Sequence, residues 1–76
     1  MNLAISTKVI PFPDEYERTA NACVSSFGLP AALAALETSR ALAVRQLAAE
    51  GLGARQRAFI STHATLCARE LARLTP

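Results

Sequence analysis

Residues 47–57 read LAAEGLGARQR. Gly51 and Gly53 flank a single leucine between two long segments of helical periodicity. Glycine after a helix supplies the left-handed stop that side-chain-bearing residues avoid, and the leucine behind it folds back on the last turn. Gly53 then frees the chain to reverse. A turn this short forces the flanking helices into an antiparallel hairpin. The reading predicts helices over about 30–50 and 54–74.

In the helix before the turn, Leu33, Leu36, Val44 and Leu47 fall within a sector of roughly 80° at helical spacing and form its main buried face. Ala31, Ala35, Leu42 and Ala49 lie almost opposite, a second face of mostly small residues. In the helix after the turn, Phe59, Ile60, His63, Leu66, Cys67, Leu71 and Leu74 make one apolar face. With the turn centred near Leu52, facing residues have numbers that sum to about 104. Leu36 then meets Cys67, Val44 meets Phe59 or Ile60, and Arg40 lies level with His63 or Ala64.

Upstream, Gly28 and Pro30 mark an earlier stop. A shorter helix over about 14–27 is predicted, with Asp14 and Glu17 at capping-box spacing. Phe12, Tyr16, Ala20, Cys23, Val24 and Phe27 form its stripe. Gly28 is expected to end it in a Schellman turn with Leu29 folded onto Val24, and Pro30 to open the next helix. Residues 1–13 read as an extended arm: NLAISTKVI alternates at strand period, and the PFP that follows stops regular structure. The fold class is all-α: one three-helix domain over 14–76 behind that arm.

The 76 residues bound the rest. Hydrophobic residues are 51% of the chain, but 16 of them are alanines. A core this small seldom yields more than about 3–5 kcal/mol. That shortage, with the two apolar faces of the central helix, implies a homodimer. Two cysteines make no disulfide scaffold. Pro11 and Pro13 interrupt any signal-peptide core, and no run is apolar enough to span a membrane, so a cytoplasmic protein is expected. The net charge of +2 is divided unevenly: residues 1–39 carry two bases and four acids, residues 40–76 six arginines and two acids.

Arg40 interrupts the main face of the helix before the turn, with Glu37 beside it, and Gln56, His63 and Glu70 recur every seven residues near the middle of the last helix's face. Glu37, Arg40 and His63 are predicted to share one buried polar layer across the hairpin, which fixes register because an unpaired buried charge is expensive. Arg55, Arg69 and Arg73 share one flank of the last helix. Together with Arg40 and Leu42 they are the candidate contact residues for a protein partner. His63 and Cys67 stand at i, i+4, and Cys23 and Glu70 can complete four ligands. No CxxC accompanies them and both cysteines fit core positions, so neither metal nor cofactor is expected. A Glu–His–Arg layer has the groups for acid–base chemistry, but no nucleophile or glycine-rich cradle accompanies it, so no enzyme is expected.

The reading that fits is a small non-enzymatic interaction module, a regulator, inhibitor or adaptor of the kind found in bacteria and their phages. It acts by stoichiometric binding to a partner protein through helical surfaces. A structural subunit of a larger assembly is an alternative. A second alternative comes from layout. Arm, helix, glycine turn and helix over residues 3–50 resemble the ribbon-helix-helix repressors. The resemblance implies a dimer whose paired arms enter the DNA major groove, with Ser6 and Lys8 on the reading face. Ala4 and Ile10 share that face, and the last helix is an addition to that fold.

Overall fold

A computed structural model describes residues 12–76. These residues form three helices: α1 (Pro13–Phe27), α2 (Leu29–Leu47) and α3 (Ala54–Leu74). Among the described residues there is no strand. The protein is all-α, and the helices pack as a small bundle in which α2 meets α3 most extensively and α1 touches both. Of the expected arm, residues 1–11 lie outside the described residues, and Pro13 belongs to α1.

α1 begins one residue earlier than the acidic cap predicts. Phe12 is its N-cap residue in extended conformation, and Pro13 is the first helical residue. Proline needs no hydrogen-bond acceptor there and its φ is already helical, so it displaces Asp14 as the start. The Glu15 and Tyr16 amides donate to the Phe12 carbonyl at 3.1 and 3.3 Å, and no side chain caps the helix. Asp14 and Glu15 still stand in the first turn, where negative charge suits the helix dipole.

Gly28 joins α1 to α2 without a loop. Its φ of 92° is positive as expected, but its ψ of 161° is extended, so the Schellman turn does not form. Its N–H donates to the Val24 carbonyl at 2.8 Å, and its own carbonyl accepts from Ala32 at 3.1 Å. One residue therefore ends one helix and begins the next. Leu29 enters α2 at its first position, which leaves Pro30 at the second.

α2 stops at Leu47, three residues short of Glu50. The Ala48 and Ala49 amides donate to the Arg45 and Gln46 carbonyls at 3.2 and 3.1 Å, the tighter three-residue pattern in which α-helices often end. Arg57 Nη1 donates to the Leu47 carbonyl at 2.7 Å, which supplies one orphan acceptor with a cation. Gly51 has φ 85°. The Gly53 amide donates to Gln56 Oε1 at 3.2 Å, the side-chain half of a capping box.

The core is Ala20, Ala32, Ala43, Ile60, Leu66 and Cys67. Burying Ile60 and Leu66 contributes roughly 2 kcal/mol each. On α2 the inner line runs through Ala32, Leu36, Ala43 and Leu47. It is turned about 50° from the predicted face towards the alanines. Val44, expected inside, is 48% exposed. Alanine lets neighbouring helices approach closely, so side-chain size alone misplaces the face. The two ends of the α1 stripe, Phe12 and Phe27, are also exposed, Phe27 to 74%.

Candidate functional site

The three helices enclose an open cleft of about 330 Å³. Its floor is Ala20 of α1, Ala32 of α2 and Cys67 of α3, all buried. Half-buried Tyr16, Cys23, Leu36, Ser39 and His63 make the walls, and exposed Glu15, Thr19 and Ala35 the rim. The cleft exists because two alanines stand where larger side chains would close the junction. Its volume lies in the range of small-molecule sites.

A polar chain runs along one wall. The Tyr16 hydroxyl is hydrogen-bonded to His63 Nδ1, with the two rings edge to face at a centroid separation of 5.4 Å. His63 Nε2 lies 3.7 Å from Cys67 Sγ. A neutral imidazole has one donor and one acceptor nitrogen, so both contacts run in the same sense. Burial pushes the Tyr16 hydroxyl up to about 12, with smaller contributions from Cys67 and Glu15. Burial lowers His63 and raises the Cys67 thiol, the latter against a smaller opposing effect of Arg40. Burial therefore favours the uncharged form of all three groups. A thiol raised in this way is a poor nucleophile.

The buried layer of Glu37, Arg40 and His63 is not formed. Glu37 and Arg40 pair with each other, Arg40 Nε donating to Oε2 at 3.1 Å, on side chains 53% and 37% exposed. The hydrogen bond from Arg40 holds the Glu37 carboxyl below its usual value. His63 turns to Tyr16 and Cys67 instead. Two neutral groups satisfy its ring at lower desolvation cost than an ion pair.

Among the described residues the buried charged side chain is Glu70, 2% exposed. Arg73 Nε donates to its Oε1 at 2.8 Å, and Arg73 Nη2 donates to Asn21 Oδ1 on α1 at 2.7 Å. Arg73 is thus a tie between α1 and α3, and not part of a free ridge with Arg55 and Arg69. Arg55, Arg69 and Leu42 are exposed. Ser6 and Lys8 lie outside the described residues.

Among the described residues no three of His, Cys, Asp and Glu are grouped to hold a metal, and no helix is long and apolar enough to cross a membrane. Sequence reading places Tyr16 as a stripe residue and pairs His63 with Cys67, but misses the link from His63 to Tyr16. The one local signal was the i, i+4 spacing of His63 and Cys67. The chain matches no family model, and no curated protein or solved structure is significantly similar to it.

Proposed function

We propose that this chain is a small protein-interaction module that binds a partner stoichiometrically through the outer face of α2, presented by an antiparallel hairpin of α2 and α3. Two contacts support that hairpin register: Arg57 on the Leu47 carbonyl, and Leu36 with Cys67 on one cleft. The observation that carries the functional reading is an uncovered seam. Ala31, Ala35, Thr38, Leu42 and Arg45 follow one another at spacings of 4, 3, 4 and 3, and all are exposed. This is the spacing by which one helix receives another. The small residues admit close approach. Leu42, 51% exposed, is the apolar anchor, and Arg45 adds a charged contact beside it. The exposed Arg55 and Arg69 extend the basic surface on α3.

The test is a photoreactive residue in place of Leu42, introduced in the native host. Crosslinking to one protein in stoichiometric yield supports the reading. A second copy of this chain as the only adduct makes the seam a homodimer interface. No adduct, or the same adducts from position 58 on exposed Ala58, overturns it.

A further inference from the structure

The cleft where the three helices meet has a use that the α2 seam does not supply. We propose that it binds a small uncharged, mainly apolar molecule carrying one N–H or O–H donor, seated on Ala20, Ala32 and Cys67 and donating to the Tyr16 hydroxyl oxygen. Size sets the first limit. About 330 Å³ accommodates roughly ten non-hydrogen atoms, the dimensions of an indole or a substituted phenol. The floor sets the second. Two methyl groups and a thiol offer dispersion contacts and no ionic partner. Among the described residues, Glu15 on the rim is the one acidic group lining the cleft and no cation lines it, so an anionic ligand meets repulsion there.

The donor requirement follows from hydrogen-bond capacity. Tyr16 engages His63 with one bond. With the phenol donating to the more basic Nδ1, its oxygen keeps a free acceptor lone pair and has no proton left to offer a ligand. His63 has both ring nitrogens engaged, with Tyr16 and Cys67, so the ring is held and the hydroxyl is positioned. A ligand without a donor fills the same volume but leaves that lone pair dry. The seam and the rim share Ala35, but the inference stands if the α2 seam binds nothing.

The probe is indole, titrated into the intact chain and followed by amide chemical shifts. The expected result is saturable shifts at Cys23, Ser39 and Cys67, with a Kd on the order of 0.1–1 mM for a ligand of this size. 1-Methylindole, which lacks the donor, binds several-fold more weakly, and indole-3-acetate does not bind. Ala35→Leu and Thr19→Leu, both on the exposed rim of different helices, narrow the mouth and weaken indole at least tenfold with the helical content unchanged. Tyr16→Phe reduces indole affinity to that of 1-methylindole. Absence of saturation, equal binding of 1-methylindole or the anion, shifts confined to Phe27 and Leu42, or unchanged affinity in both rim variants overturns the proposal.

Discussion

Arg73 reaches the carboxylate of Glu70 at 2.7 Å, and Glu70 is buried to 2% exposure. The same guanidinium holds Asn21 across the helix interface. A buried carboxylate stripped of its cation keeps its desolvation cost and loses the compensation. Arg73→Ala should therefore cost about 2 kcal/mol, below the fully buried range because the arginine head is partly solvated. Arg69→Ala on the exposed flank should stay within about 0.5 kcal/mol of the parent. Glu70→Gln in the Arg73→Ala background should recover part of the loss, since a neutral amide needs no counter-charge. Urea unfolding of the four proteins checks this. Equal midpoints for Arg73→Ala and Arg69→Ala would remove the tie between α1 and α3 from the account.

The joint at Gly28 gives a backbone prediction. At φ 92° and ψ 161° the residue occupies a region open to glycine almost alone. A Cβ there meets only Pro30 Cδ, at 3.9 Å, so space is not the obstacle. Gly28→Ala should destabilise by roughly 1–3 kcal/mol from conformation alone. Gly53, at φ −69°, should accept alanine with a change of about 0.5 kcal/mol or less. Thermal unfolding of the two variants distinguishes the sites.

The sequence makes α3 fully legible. Gly53 before it opens a clear apolar face, and its bounds are Ala54–Leu74 as read. The helix joints are less legible, because Pro13, Gly28 and the turn at Ala48–Ala49 each offer two neighbouring solutions. The face of α2 is misjudged for a different reason. Ranking by side-chain size favours Val44, whereas close helix packing selects Ala32 and Ala43. Of the polar wall of the cleft, the sequence shows the His63–Cys67 pair at i, i+4 but not its link to Tyr16. Tyr16 and His63 stand 47 residues apart, and no local pattern states where α1 lies against α3.

Tyr16 is the only tyrosine and the chain has no tryptophan, so its ionisation can be read from the phenolate absorbance. Burial lifts its pKa from 10.0 to about 12. The unfolded chain then releases this proton at lower pH than the folded one. The contribution to stability is whole below about pH 10 and is lost as pH rises towards 12. A titration midpoint near 10 in the folded protein would contradict the buried hydroxyl.

His63 predicts the opposite limb. Burial lowers its folded pKa below the ordinary 6.5, so the unfolded state takes up the proton first. Stability is whole above about pH 6.5 and declines as pH falls through the folded value. His63→Gln should flatten the stability slope between about pH 7 and 5. It should also weaken the hold on Tyr16, at a cost of about 1 kcal/mol at neutral pH. Denaturant midpoints across this range for both proteins test the sign. A parent that gains stability on acidification through this interval would overturn it.

Leu42 and Ala43 are adjacent on α2 and opposite in environment, one 51% exposed and the other 1%. They separate folding from binding. Ala43→Leu forces three added carbons into the α2 core line and should cost about 1–3 kcal/mol through overpacking. Leu42→Glu changes a side chain that already faces water, so its unfolding midpoint should move by no more than about 0.5 kcal/mol. If the outer face of α2 is where a partner docks, the same substitution places an unpaired charge in the middle of an apolar contact. The loss should then exceed about 2 kcal/mol of binding, more than tenfold in affinity. Paired measurements on each variant, an unfolding midpoint and affinity for the protein captured at position 42, give the comparison. Binding that falls in Ala43→Leu only in step with unfolding, and collapses in Leu42→Glu without unfolding, identifies the seam as the contact. Binding unchanged by Leu42→Glu would move the interface elsewhere on the bundle, and Phe27, the most exposed large apolar side chain described, would be the next position to alter.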